Sequence, residues 1–292
     1  MTGEYPTSND LKARALEFVR AKGLQALKES DQHFMVNREE LKRIVDSAGI
    51  SENDVVLEIG AGLGFLTEEI ALRGPKTVYA VEKDPELASL LEERFREDPR
   101  VRVVCKDILE LLPFKKEYTK VLANPPFSIS SKILLGLIES DFILASMTFQ
   151  HEFAERLVAK VGSSSYGSLT VLTSLRFNAA LIKRIHKSCF IPRPDVDAAL
   201  VRLETKEPIL DPKEWRLLSK MLPFLFEGRK RKLSNALEDF LVKYCRIRRS
   251  KAKKFSKELG IGDLRVYKTP PSEFARIARK VKCFLEEPSS HF

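Results

Sequence analysis

An α/β fold is predicted: a mostly parallel sheet with helices on both faces, followed by a small all-α C-terminal domain. Three observations predict it. Strand-like and helix-like segments alternate between residues 54 and 204, and such alternation builds parallel sheets covered on both sides. A glycine loop, Gly60-x-Gly62-x-Gly64, joins the first strand of that series to its first helix. Near Pro208 the alternation stops, and only helical patterns follow, separated by Pro and Gly. Residues 1–30 are therefore read as an N-terminal helical extension, 31–205 as the sheet domain and 206–292 as a helical domain. A chain of 292 residues, 43% hydrophobic, suffices for one large core and a smaller second one.

Each element has its own signal. Residues 10–28 read as an amphipathic helix, with Asp10 as cap and Leu11, Ala15, Phe18 and Val19 on one side. "DVVLEIG" (54–60) is a short apolar strand ending at glycine, and "LGFLTEEIALRG" (63–74) has helical spacing. "TVYAVEKD" (77–84) is a strand. "PELASLLEERFRED" (85–98) is a helix with Pro at its start. "VRVVCKD" (101–107) and "TKVLANPPF" (119–127) are the next two strands. Residues 129–138 read as helix, 143–149 as strand, 151–161 as helix, and 179–185 and 197–204 as two late strands.

Charge is uneven along the chain. The net charge is +9, yet Thr205–Phe292 holds 22 Lys and Arg against 11 Asp and Glu, a net of +11, which leaves −2 for the rest. The basic third contains "GRKRKLSNAL" and "KYCRIRRSKAKKFSK", with Tyr244 and Phe255 interleaved. A solvated surface would have such a composition, and so would a polyanion-binding one. Cys105, Cys189, Cys245 and Cys283 are scattered, without a Cys-x-x-Cys pair. A reducing, cytoplasmic location fits them. The histidines have no zinc-helix spacing, so no metal is expected. The acidic, polar N-terminus resembles neither a signal nor a transit peptide, and no apolar stretch reaches membrane-spanning length.

Candidate ligand-binding residues lie at the carboxyl ends of the strands, where open parallel sheets bind ligands. Gly60 and Gly62 permit a tight turn and a close backbone approach. A dinucleotide fingerprint requires a third glycine one residue later, but Phe65 stands there. Glu82 and Asp107 close the second and third strands. A carboxylate at Glu82 suits ribose hydroxyls, and one at Asp107 suits an adenine amino group. Together they describe an adenosine cofactor without phosphates, S-adenosylmethionine. The fourth strand runs into Asn124-Pro125-Pro126-Phe127. Two prolines stop a strand and set a turn, which is one reading. The other is catalytic: the Asn124 side-chain oxygen and the Pro125 carbonyl would hold the two hydrogens of an adenine N6, and Phe127 would stack on the base. The two readings stay open on these residues alone.

Further motifs carry a resemblance. "DQHFMVN" (31–37), "FAERLVAKVGSSSYGSLTVLT" (153–173), "FIPRPDVDAALVRLE" (190–204) and "GRKRKLSNAL" (228–237) resemble segments of the small-subunit ribosomal RNA adenine N6,N6-dimethyltransferases, of the archaeal type. The resemblance covers residues 31 to 237. It implies a Rossmann-like S-adenosylmethionine methyltransferase sheet and a basic RNA-binding helical domain. It implies that His33, Met35, Gly60, Gly62, Glu82, Asp107, Ile108 and Asn124 bind the cofactor, with Asn124, Pro125 and Phe127 catalytic. RNA contacts are expected at Arg229, Lys230, Arg231, Lys232, Arg248 and Arg249. The implied substrate is two adjacent adenines near the 3′ end of small-subunit rRNA, met as rRNA or as an immature subunit by a monomeric enzyme. The family usually has Asn-(Leu/Ile)-Pro-Tyr where this chain has Asn-Pro-Pro-Phe, the form common in DNA adenine methyltransferases. Methylation of another nucleic acid, or a weakly catalytic assembly factor of the same fold, are the competing readings.

Overall fold

The structure is a computed structural model that describes residues 7–23, 31–115 and 117–286. The chain forms two compact units. One comprises Met1–Ala154 and Ala179–Thr205, the other Glu155–Asn178 and Lys206–Phe292.

The first unit is built on a seven-stranded sheet. Its strands are β2 (Val55–Ile59), β3 (Thr77–Glu82), β4 (Val101–Cys105), β5 (Lys120–Ala123), β6 (Leu144–Gln150), β7 (Phe177–Ile185) and β9 (Ala198–Thr205), in the order β4-β3-β2-β5-β6-β9-β7. The pairs β2–β3, β3–β4, β2–β5 and β5–β6 are parallel, while β9 runs antiparallel to β6. From β2 the chain moves outward through β3 and β4, then returns to β5 on the other side of β2. That reversal is a switch point, and it opens a crevice beyond the carboxyl ends of β2 and β5. The two-residue strands β1 (Phe34–Met35) and β8 (Phe190–Ile191) pair antiparallel, joining two motifs far apart in sequence.

The helices that frame the crevice follow local rules. Helix α1 (Ser8–Lys22) begins at Thr7, whose hydroxyl accepts from the Asp10 backbone N–H while the Asp10 carboxylate accepts from the Thr7 N–H. This is a capping box, so the expected cap Asp10 stands three residues inside the helix. Residues 24–28 of the predicted helix lie outside the described residues. Leu11 and Ala15 are buried in one cluster with Phe34, Leu41 and Ile44, so α1 belongs to the core of the first unit rather than to a separate extension. Helix α2 (Arg38–Ala48), which the sequence reading omitted, is capped by Asn37 and buries Leu41, Ile44, Val45 and Ala48. Helices α3 (Phe65–Ala71), α4 (Pro85–Arg94), α5 (Ile108–Leu111), α6 (Ser130–Ile138) and α7 (His151–Leu157) complete the alternation. Strand β5 stops at Ala123, four residues short of the predicted end, because neither Pro125 nor Pro126 can donate to a ladder.

The second unit is helical: α8 (Ser168–Arg176), α9 (Pro212–Glu227), α10 (Leu233–Lys243), α11 (Arg249–Glu258) and α12 (Pro271–Glu286). Trp215, Leu218 and Leu222 of α9, Leu237 and Phe240 of α10, and Phe274 and Ile277 of α12 are buried in it. The sequence reading gave residues 155–178 to the sheet domain; they belong here. The Tyr166 hydroxyl donates to the Thr269 carbonyl at 2.7 Å, and the Gly162 N–H donates to the Tyr267 carbonyl at 2.9 Å. These bonds tie the segment to the C-terminal helices. No described helix is long and apolar enough to cross a membrane.

Candidate cofactor and catalytic site

A cavity lies at the switch point. It is lined by the glycine loop, by Glu82, Asp107 and Ile108, by Asn124 and Pro126, and by His33, Phe34 and Met35. All eight residues expected at the cofactor line it. Pro125 and Phe127 do not. Pro125 is buried, and Phe127 sits in a short 3-10 turn, 9% exposed, with its ring 6.0 Å from that of His33. The open aromatic face expected at Phe127 is therefore packed against protein.

The glycine loop leaves β2 with positive φ at Gly60 and Gly62, a backbone region that costs other residues energy. At Gly60 a Cβ would stand 3.8 Å from Pro125 Cα, so the loops after β2 and β5 lie side by side. At Gly62 it would meet the Phe34 ring at 3.2 Å. Glu82 fastens this loop. One carboxylate oxygen accepts from the Gly62 N–H and the other from the Asp84 N–H, both at 2.9 Å. Each oxygen keeps a further lone pair for a ligand. Asp107 caps α5 by accepting from the Leu109 N–H at 2.9 Å through one oxygen. Arg94 braces the outer side of the loop, donating to the Leu63 carbonyl and to Glu68.

Asn124 is clamped from two directions. Its Nδ2 donates to the His33 carbonyl at 3.1 Å, and its Oδ1 accepts from the Thr148 hydroxyl at 2.6 Å. A carbonyl can only accept, so the amide orientation is determined by His33. Thr148 is fully buried on β6, opposite Asn124 because Ala123 pairs with Met147. One lone pair of Oδ1 is thus taken and one is left. His33 is held in turn: Nδ1 donates to the Pro192 carbonyl at 2.8 Å, and Nε2 stands 3.3 Å from Asp31. Asp31 also accepts from the Ser128 N–H at 2.7 Å, tying the 31–37 motif to the Asn-Pro-Pro-Phe turn. Sequence reasoning singled out neither Asp31 nor Thr148.

Beneath the loop lies Glu58, fully buried on β2, with neither side-chain oxygen in a hydrogen bond. Burial pushes its carboxyl up to about 8; the facing Thr67 opposes the push, the neighbouring Glu82 charge adds to it, and Arg94 opposes it.

The chemistry of the lining suits S-adenosylmethionine. Its floor is apolar (Ile59, Leu66, Val81, Ile108), and three carboxylates, Asp31, Glu82 and Asp107, line it beside Lys83 and Lys106; the carboxylates welcome hydroxyls, an amino group and a positive sulfonium.

In the second unit, most of the expected RNA contacts are already engaged. Arg229 donates to the Ser163 and Ser164 carbonyls, Arg231 pairs with Asp239 at 2.7 Å, and Arg249 pairs with Glu238 at 2.9 Å. Lys232 is 3.6 Å from the exposed Asp263. Lys230 and Arg248 are exposed and have no ion pair among the described residues.

Residues 23–280 match the family described as ribosomal RNA adenine dimethylase. The chain belongs to that family. It is an rRNA adenine dimethyltransferase, and the family is S-adenosylmethionine-dependent. A protein of Methanococcoides burtonii named "Probable ribosomal RNA small subunit methyltransferase A" is 38% identical over 208 residues, 71% of this chain and 76% of that one. A protein of the same name from Methanopyrus kandleri is 37% identical over 76% of this chain and 80% of its own. A dimethyladenosine transferase from Plasmodium falciparum shares the fold with a TM-score of 0.72 at 24% identity, over 84% of this chain and 97% of that one. The 23S rRNA methyltransferase ErmE superposes with a TM-score of 0.61 at 27% identity, over 85% and 99%.

Proposed function

We propose that this chain transfers methyl groups from S-adenosylmethionine to N6 of two adjacent adenines near the 3′ end of small-subunit rRNA, carrying each to the dimethyl form. The observation that carries this reading is the Asn124 amide, held by His33 and Thr148 at the rim of the cavity that Glu82 and Asp107 line. The cofactor supplies an electrophilic methyl group. Glu82 accepts from the ribose hydroxyls and Asp107 from the cofactor's adenine amino group. The remaining lone pair of Asn124 Oδ1 accepts from the substrate N6, joined by the backbone carbonyl of Pro125, a buried residue just outside the cavity lining. Positive charge grows on that nitrogen as its bond to the methyl carbon forms and the carbon–sulfur bond breaks. The two acceptors bind the charged nitrogen more tightly than the neutral one, which lowers the barrier. The N6 proton then leaves an already acidified nitrogen, so no strong base is needed.

The names of the archaeal relatives support the small-subunit target. The four free cysteines support a reducing, cytoplasmic setting, and we propose a monomer that meets its RNA in an immature subunit. A second reading, methylation of another nucleic acid, is favoured by Asn-Pro-Pro-Phe. Incubation with labelled S-adenosylmethionine and small-subunit rRNA, immature small subunits, large-subunit rRNA or DNA, followed by nucleoside analysis, separates the two. Label in N6,N6-dimethyladenosine from small-subunit rRNA is expected. Label confined to DNA or to large-subunit rRNA overturns the proposal.

A further inference from the structure

A second cleft lies within the helical unit, away from the Arg229–Lys232 run. It is lined by Lys213, Arg216, Leu217 and Lys220 of α9 and by Tyr244 and Cys245 just beyond α10. The α9 residues are spaced i, i+3, i+4, i+7, so they form one face of that helix. Helix α9 has 16 residues, a length of about 24 Å. The cleft occupies its first half, whereas Arg229 to Lys232 follow its far end.

Three properties of the cleft point to one ligand. First, two of its charges are available. Arg216 and Lys220 are exposed and have no ion pair among the described residues, while Lys213 is paired with an exposed Glu286 at 3.5 Å. This differs from Arg231 and Arg249, which carboxylates already hold. Second, Tyr244 is 52% exposed, and its ring stacks on the buried Phe240, with centroids 5.2 Å apart and planes 11° from parallel. A ring backed on one face by a fixed ring and open on the other is a platform for a planar group. Third, the cleft is neutral or basic throughout. Burial pushes the Cys245 thiol up to about 11, so it adds no negative charge.

We propose that this cleft is a subsite for single-stranded RNA, in which Tyr244 stacks on one base and Arg216 and Lys220 hold the flanking phosphates. Stacking platforms beside cationic tracks bind single strands with little sequence preference. The subsite rests on the reading that the substrate is RNA, and it adds a second grip at the opposite end of α9 from the Lys230 run. A strand gripped at both ends of that helix would be aligned along it.

The test uses the full chain, a labelled 12-nucleotide oligouridylate, and an abasic strand of equal length. Tyr244→Ala is expected to weaken oligouridylate binding by about 5- to 100-fold, with little change for the abasic strand. Tyr244→Phe should restore binding. The double variant Arg216→Gln/Lys220→Gln, altered only at exposed positions, should lower the log–log salt slope by about 1.4 on both strands. Unchanged affinity and salt slope in the double variant overturn the subsite even if Tyr244→Ala fails to fold. Equal competition by polyglutamate, without dependence on the ring, also overturns it and points to an acidic protein surface. Methylation of small-subunit rRNA by the wild-type chain is scored separately: its absence would sink the proposed function, while ring-dependent binding of oligouridylate would leave the subsite standing.

Discussion

The cavity at the switch point and the basic face of the helical unit treat their charged groups in opposite ways. In the cavity, Glu82 and Asp107 are anchored by backbone N–H groups and keep lone pairs for a ligand. On the helical unit, Arg231 and Arg249 spend their guanidinium groups on Asp239 and Glu238. Backbone anchoring adds no counter-charge, so a carboxylate remains a carboxylate toward solvent. Pairing with an opposite charge cancels it. A motif residue of the first kind can be read as functional from sequence. A basic run of the second kind overstates the charge available to a partner.

The largest effect expected from this contrast concerns a group in neither class. Glu58 is buried under the glycine loop with no anchor and no counter-ion in a hydrogen bond. Its folded carboxyl titrates near 8 against an ordinary 4.5. Between those values the unfolded chain releases a proton that the folded chain retains. Stability therefore falls as pH rises through this window, by up to about 1.4 kcal/mol per pH unit and of order 5 kcal/mol in all, and levels off above it. Melting temperatures measured from pH 5 to 9 should decline, and Glu58→Gln should flatten that decline. An equal slope in the variant would assign it to other groups.

The next effect tests the amide clamp. Asn124→Ala removes an acceptor for developing charge and should lower the single-turnover methylation rate by roughly 10²–10³, with a much smaller change in cofactor affinity. Thr148→Val keeps the amide but releases it from one side. It should cost less, about tenfold, the scale of one hydrogen bond. An Asn124→Ala protein that melts early yet methylates at the normal rate while folded would make the amide a turn residue only.

Much of this site was legible because it lies at strand ends within continuous motifs. The glycine loop, Glu82, Asp107 and Asn124 all lie at the carboxyl ends of predicted strands, and strand alternation alone brings those ends together. Thr148 was not legible. It sits inside an apolar strand, and its partner depends on the register of β5 against β6, which is set across a whole crossover. Asp31 was quoted within a motif, but its bonds to Ser128 and His33 join segments 97 and 2 residues apart, and only the fold supplies the longer of these. Helix α2 was legible and missed: Leu41, Ile44, Val45 and Ala48 carry the helical period behind an Asn37 cap. The allotment of 155–178 to the helical unit had no sequence signal, since Tyr166 and Gly162 find their partners about a hundred residues away.

A smaller effect sharpens the anchoring argument. Glu82→Ala should weaken S-adenosylmethionine binding by about 1.5–3 kcal/mol, the scale of hydrogen bonds to a charged group. A strand-end acid with no internal partners would leave stability unchanged. Here the Gly62 and Asp84 N–H groups lose their acceptor, so the melting temperature should fall as well. Calorimetric titration and thermal melting read the two effects on one sample. Unchanged cofactor affinity would remove Glu82 from the binding role and leave it as a loop fastener.

The smallest effects separate free from paired cations on the helical unit. Lys230 and Arg248 have no ion pair among the described residues, so their charges are available to phosphate. Lys230→Gln and Arg248→Gln should each reduce the log–log salt slope of RNA binding by about 0.7 to 0.9. Arg231 and Arg249 face Asp239, whose carboxyl is held below the usual range chiefly by its hydrogen bond to Arg231. Neutralising either should change the slope less, because the arginine must leave a carboxylate before it can meet a phosphate. It should instead cost up to about 1 kcal/mol of stability, the range of exposed ion pairs. Asp239→Asn supplies the decisive comparison. It frees the Arg231 guanidinium while Glu238 still holds Arg249, so RNA affinity should rise and the salt slope should steepen by about one contact. If Asp239→Asn leaves both unchanged while Lys230→Gln lowers them, Arg231 is structural. If all four cations contribute equally in the wild-type chain, the pairs open on binding, and the contrast between an anchored pocket and a self-neutralised face fails for this unit.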